Sequence, residues 1–142
     1  MVSFLYEWAL TILASALVII THDKALKYIT NWCKYRKMIW VMLFVSIIHV
    51  SHIWIYAIAL YIGQNWMNIG EISGCDINNI ADYVYFSATN YTSLGYGDCI
   101  ATGGLRLLAT FSGLIGLLMI GWSTAFAFWW MQRNWLSIDN AE

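Results

Sequence analysis

Apolar residues in this chain fall into three long runs, separated by two stretches of opposite charge. Val2 to Thr21 holds one charge, Glu7; Met38 to Ile62 holds no charge but two histidines; Leu107 to Met131 holds no charge at all. A helix needs about 20 apolar residues to cross roughly 30 Å of hydrocarbon, so each run predicts a spanning helix. Three crossings place the two termini on opposite sides. The first run lacks the basic start of a signal peptide, carries Glu7 early and stays apolar too long for one, so it is read as a retained helix. A fourth helical stretch, Asn79 to Thr92, bears Tyr83, Tyr85, Phe86 and Tyr91, with Asp76, Asn78 or Asn79 available to cap its start. Its roughly 14 residues rise only about 21 Å, too little to cross, so it reads as re-entrant.

Composition fits that pattern. Of 142 residues, 61% are hydrophobic, 17% aromatic and 11% charged, against about 25% charged in a soluble domain. The chain is expected to be an integral membrane protein without room for an appended soluble regulatory or catalytic domain. Nothing in it suggests nucleic-acid binding. The net charge of -1 hides a segregation. Lys24, Lys27, Lys34, Arg36 and Lys37 crowd the stretch between the first two runs, whereas Gln64 to Thr102 carries Glu71, Asp76, Asp82 and Asp98 and no Lys or Arg. Excess Lys and Arg mark the cytoplasmic side. That side is therefore expected to hold residues 22–37 and, with Arg133, the C-terminus, while the N-terminus and 63–105 face outward, as in a multi-pass protein of the plasma or cell inner membrane. Tyr6, Trp8, Tyr61 and Trp66 then lie at the outer interface, and Trp32, Tyr35, Trp40, Trp129, Trp130 and Trp135 at the inner one. Ala25, Leu26, Ile29, Trp32 and Cys33 recur at helical spacing, with Lys24, Lys27 and Lys34 on the other flank. Two readings stand: an interfacial helix touching anionic headgroups, or a cytoplasmic extension of a spanning helix.

Directly after the re-entrant stretch comes Ser93-Leu94-Gly95-Tyr96-Gly97-Asp98. Two glycines around one residue open dihedrals closed to other residues, so that successive carbonyls can point one way, a geometry suited to a cation. Non-helical backbone at membrane depth is tolerated only where protein packs it or an aqueous path runs along it. At these residues the chain resembles the potassium-channel pore family. The likeness runs through Tyr83-Val84-Tyr85-Phe86-Ser87-Ala88-Thr89-Asn90-Tyr91-Thr92 into the glycine motif, with spans on both sides, over roughly residues 38–132. In that family, four loops replace the hydration shell of K+ with carbonyl oxygens.

The resemblance implies that the carbonyls of Ser93, Leu94, Gly95 and Tyr96, in a filter extending to Gly97, hold dehydrated K+, with the Ser93 hydroxyl at the inner end. The family usually has Thr in place of Ser93 and Val or Ile in place of Leu94. Ser keeps the ligand oxygen but loses a stiffening methyl, and Leu alters packing behind the filter. Some relatives hold an acidic residue at the position of Thr89; here a Tyr85 to Asp98 hydrogen bond is the expected support instead. Independently of the resemblance, a re-entrant helix running inward points its negative end at the membrane centre, and four outer acidic residues concentrate cations at the mouth.

A single re-entrant loop does not surround an ion, so the resemblance implies a homotetramer. The expected fold is all-α and integral to the membrane: three transmembrane helices plus a re-entrant pore helix and selectivity-filter loop, four chains around a central pore. Residues 1–37 form the first helix and basic loop; 38–132 form the pore domain, with outer helix 38–62, pore helix 79–92, filter 93–98 and inner helix 104–131; 133–142 form a short cytoplasmic tail. Helical spacing nominates Leu117, Ile120, Thr124 and Phe128, with Met131, as cavity-facing. Gly116 lies nearest the point where relatives bend, and packing of small residues explains it equally well. No span carries the repeated Arg of a voltage sensor.

His49 and His52 share one face of the second span, and Glu7 sits in the first. They are read either as a proton-sensing group or as neutral histidines bonding across helices, with a third ligand for a metal not evident. Cys75 and Cys99 bracket the pore segment, and both a bridge and two free thiols are open. No cofactor is expected apart from permeant K+, and no residue set points to an enzyme. The leading reading is a K+-selective channel subunit. A weakly selective cation channel and a non-conducting regulatory subunit are the alternatives, with an enzyme using His49, His52 and Glu7 well behind.

Overall fold

The computed structural model describes residues 2–32 and 38–139, with side chains for 4–32 and 38–133. Helix α1 covers Val2–Trp32, α2 Met38–Asn65, α3 Ile80–Tyr91 and α4 Leu105–Asp139; two short strands, β1 (Ile72–Ser73) and β2 (Ile100–Ala101), flank α3. Within them, Phe4–Trp32, Met38–Asn65 and Leu105–Arg133 are long and apolar enough to cross a membrane. The architecture is all-α apart from that strand pair, as expected for this class of membrane protein.

Helix α1 does not stop at Thr21. Thr11, Ala14, Ser15, Val18, His22, Leu26 and Ile29 are all buried, one stripe at helical spacing that runs from the apolar run into the charged one. No Gly or Pro interrupts 22–32, and Asp23 pairs with Lys27 one turn on at 2.7 Å. Charge at a membrane boundary therefore changes the solvent around the helix without ending it. Residues 24–32 continue the spanning helix rather than forming a separate interfacial one. Cys33, Lys34, Tyr35, Arg36 and Lys37 lie outside the described residues, as does the side chain of Trp135. Helix α4 likewise runs on past Met131, making the first part of the expected tail helical.

Helix α3 is fixed at its start by a capping box. The Asn79 Oδ1 accepts from the Ala81 N–H at 2.8 Å, and Asp82 Oδ2 accepts from the N–H groups of Asn78 and Asn79 at 2.8 and 3.0 Å. These bonds satisfy donors that the first turn leaves orphaned. On both sides of α3 the chain is tied together. Ile72 pairs with Ala101 and Ser73 with Ile100 in an antiparallel ladder, and Cys75 is disulfide-bonded to Cys99. Segment 75–99, which contains α3 and the glycine motif, is thus a covalently closed loop.

α3 is wedged between α2 and α4. Its Tyr83, Phe86 and Tyr91 share one buried cluster with Tyr56, Ala57 and Leu60 of α2 and Leu105, Leu108, Ile115 and Met119 of α4. Ser87 Oγ donates to the Ile53 carbonyl of α2 at 2.7 Å. Helix α1 packs on both α2 and α4, with Ser15 Oγ bonded to Tyr56 Oη at 3.0 Å. A second cluster, Leu26, Ile29, Val41, Val45 and Trp130, closes the end away from the strands. The outward faces stay apolar, for instance Leu13 on α1, Ile47 on α2 and Leu117 on α4.

Gly116 of α4 is buried against α3, where an added side chain would run into the Tyr91 carbonyl. Of the two readings of Gly116, a bend point and close packing, the structure supports packing: it faces α3, and close approach accounts for the missing side chain. Gly116→Ala is expected to lower stability by about 1–3 kcal/mol through overpacking, read as a fall in Tm of the purified protein. Gly121→Ala, where nothing lies within 4 Å of an added Cβ, should leave Tm nearly unchanged. Removing the bridge by Cys75→Ser with Cys99→Ser should cost about 2–4 kcal/mol, and thermal unfolding with and without reductant should then coincide for the variant but not for the native protein.

Candidate functional site

The last turn of a helix leaves four carbonyls without intrahelical partners, and in an apolar slab each must be answered locally. In α3 they belong to Ala88, Thr89, Asn90 and Tyr91. Ala88 O accepts from Thr92 twice, from its N–H at 3.0 Å and its Oγ1 at 2.7 Å. Asn90 O accepts from the Ser93 N–H at 2.9 Å, and Thr89 O from the Gly95 N–H at 3.1 Å. The Tyr91 carbonyl is covered by Gly116. Two amide groups of the glycine motif are therefore turned toward the helix that precedes it.

That orientation has a consequence for the carbonyls. Ser93, Gly95 and Gly97 have φ of 59°, 53° and 82°, while Leu94 and Tyr96 are not in the positive range. Backbone that alternates between left- and right-handed regions gathers its N–H groups on one edge, which leaves the carbonyls for the other. Gly95 and Gly97 meet this demand without steric cost. At Ser93 a β-branched residue would tolerate a positive φ poorly, so serine suits the position. Little of the rest of the chain packs on the motif: Leu94 is 62% and Tyr96 68% exposed, and nothing lies within 4 Å of a Cβ built on Gly95 or Gly97.

The far end of the motif is held by a side chain. Tyr85 Oη donates to Asp98 Oδ2 at 2.7 Å, and Asp98 Oδ1 accepts from the Cys99 N–H at 3.1 Å. Thr89 acts otherwise than its position suggested: its hydroxyl turns back to Phe86 O at 2.9 Å, and only its carbonyl reaches the motif. Leu117, Ile120, Thr124 and Phe128 are exposed along α4.

Below α3 the structure assembles what the sequence reading left apart. Tyr91 Oη bonds His49 Nδ1 at 2.9 Å and His52 Nδ1 at 3.0 Å; Ser123 Oγ of α4 bonds His49 Nε2 at 2.9 Å and, less closely, His22 Nε2 at 3.4 Å. Four helices meet at these five groups. The three imidazoles form a triangle with centroids 5.3 to 5.8 Å apart. His22 was missed because it follows Thr21 and was counted with the charged loop. The buried stripe at 11, 14, 15, 18 and 22 was the signal that places it. Both nitrogens of His49 are used by hydroxyls, and among the described residues no three His, Cys, Asp or Glu side chains are placed to share a metal ion.

Glu7 does not join this group. It lies fifteen residues before His22 on α1, roughly 22 Å along the axis, and its side chain covers Gly104 at the start of α4. The expected His49–His52–Glu7 constellation is corrected to His22–His49–His52. A carboxylate at that place sits well physically, since the first turn of α4 carries partial positive charge.

Donation to Asp98 raises the pKa of Tyr85 above that of an ordinary phenol. A raised acid keeps its proton, so the bond persists from neutral into mildly alkaline pH and is lost only as the phenol ionises. Tyr85→Phe is expected to speed amide hydrogen exchange at Asp98 and Cys99 without unfolding the helices. Unchanged exchange there would show that the bond does not hold the loop.

The chain matches no curated protein and no solved structure. The family model for ion channels matches residues 38–133, from the start of α2 through the spanning part of α4. With three helices able to cross a membrane and a short helix and alternating loop between the last two, the chain is a multi-pass membrane protein and belongs to the ion channel family.

Proposed function

We propose that this channel subunit is K+-selective and that four copies surround one pore, with K+ passing passively down its gradient between carbonyls of Ser93, Leu94, Gly95 and Tyr96. The observation that carries the reading is the alternating φ sign from Ser93 to Gly97, with the Ser93 and Gly95 amides bonded back to α3. Backbone carbonyls left free at membrane depth are costly unless something replaces their partners. Dehydrated cations along a central axis do so, and K+ is the ion that carbonyl rings of this motif accommodate. Leu94 and Tyr96, exposed in a single chain, are where neighbouring copies would pack, apart from the carbonyls that face the ion.

Thr124, Ile120, Leu117 and Phe128 on the free face of α4 then line the inner cavity, with Phe128 and Met131 toward its mouth. The basic residues between α1 and α2 orient this end to the cytoplasm, near anionic headgroups, and the Tyr85–Asp98 end outward. Asp98 and the other outer acidic side chains raise cation concentration at the entry.

Liposomes reconstituted with the purified protein test the reading. K+ gradients are expected to drive flux that Ba2+ stops, with little Na+ flux, and Gly95→Ala should abolish it while the assembly stays intact. Equal K+ and Na+ flux would replace this proposal with a weakly selective cation channel, and absence of flux in an intact assembly would favour a regulatory subunit.

A further inference from the structure

His49 is the centre of a chain of five groups: His52 Nδ1, Tyr91 Oη, His49, Ser123 Oγ and His22 Nε2, joined by four hydrogen bonds. Each neutral imidazole has one N–H, and each hydroxyl has one proton to give. Five protons serve four links, so one is left over; where each hydroxyl both donates and accepts, that proton sits at an end. If the bonds run one way, His52 Nε2 carries the spare proton and His22 Nδ1 is a bare lone pair. If they run the other way, the two exchange roles. Those two atoms, His22 Nδ1 and His52 Nε2, are buried and without a hydrogen-bond partner. The bonding pattern thus has two directions of equal connectivity.

A sixth proton separates the three rings. Placed on His22 or His52, it leaves a charged ring with one N–H directed at no partner. Placed on His49, it gives a cation that donates from Nδ1 to Tyr91 and from Nε2 to Ser123, while the two hydroxyls swing to donate onward to His52 and His22. All four links survive, and both N–H groups of the charged ring are hydrogen-bonded. Unpaired donors on a buried cation are expensive and charge-assisted bonds are strong, so His49 is favoured.

Access favours the same ring. His22 and His52 are fully buried, whereas His49 is partly exposed. It lies in a cleft of about 300 Å³ between α2 and α4, lined beside Ser123 by Ser46 and Thr124 and by the apolar Met42, Val45, Ile120 and Ala127. The groups facing the cluster are few. On α1 they are His22 and, next to it, Asp23 with its partner Lys27; on α2, His52 and Tyr56; on α3, Tyr91; on α4, Ser123 and Trp122, with no acidic or basic residue between Arg106 and Arg133.

We propose that His49 is a proton-binding site, loaded from water through the α2–α4 cleft and placed one hydrogen bond from Tyr91, two residues before the Ser93 end of the glycine motif. The proton is transferred from hydronium in the cleft to the His49 ring, leaving neutral water behind. A positive charge there opposes a cation in the adjoining pathway, so acidification on the cleft side lowers K+ flux. This effect on flux rests on the channel reading above; the proton site does not.

Two measurements test it. The first is the ring ¹⁵N spectrum of histidine-labelled protein in lipid nanodiscs, from about pH 8 to about pH 5, with signals assigned through His22→Gln, His49→Gln and His52→Gln. His49 is expected to take the first proton. A first proton on His22 or His52, or no ring protonation before the assembly dissociates, would overturn the proposal whether or not the protein conducts. The second is liposome K+ flux over the same range. It should fall several-fold on acidification in the native protein and stay flat in His49→Gln, whose amide still bonds both hydroxyls but does not titrate. Flux that falls equally in both would overturn the link from His49 to conduction.

Discussion

A helix that ends halfway across an apolar layer has to find partners for its last carbonyls without water and without a next turn. In α3 the chain does so by folding its own continuation back: Thr92, Ser93 and Gly95 answer Ala88, Asn90 and Thr89, and a side-chain-free surface on α4 covers the fourth. Using the amides of the following loop in this way obliges that loop to alternate its handedness, which in turn demands glycine at 95 and 97. The alternating loop follows from that hydrogen-bond accounting, and the absence of a side chain at 116 lets α4 come close to the fourth carbonyl.

The same short helix is anchored from the other side by a phenol. Tyr91 is buried in the main apolar cluster, yet its hydroxyl is shared by two imidazoles of α2, so the polar end of a mostly apolar ring is met inside the protein. Ser123 extends the connection to α4, and through His22 to α1. A network in which each hydroxyl both donates and accepts is cooperative, so its members act as a unit. The extra first helix is therefore tied to the pore unit by polar as well as apolar contact.

Local chemistry was legible in the sequence and long-range depth was not. The start of α3 was readable because Asn79, one of three candidate caps, acts within one turn, and the glycine motif because its residues dictate their own dihedrals. The length of α1 was left open between two readings because Lys24 and Lys27 mark a change of solvent, which a helix passes through unaltered. His22 was lost with it. Glu7 was misplaced because matching depth on antiparallel spans from residue counts alone ignores what each end of a helix attracts. The strand pair has too few residues for any alternation to show, and depends on 72–73 and 100–101 being brought together over a sequence separation of at least 27.

The two ends of the glycine motif are fastened in different ways. At Asp98 the chain meets a phenol, a disulfide one residue on and a strand pair directly after it. At Ser93 it is held by single hydrogen bonds to α3 and, through Tyr91, by a proton network that has two states of equal connectivity. In mechanical terms the segment is a short beam clamped at one end and pinned at the other. A displacement of α4 or a change among the imidazoles enters at the pinned end and dies out toward the clamp. Deformation of the motif is thus expected to be largest at Ser93 and Leu94 and smallest at Asp98.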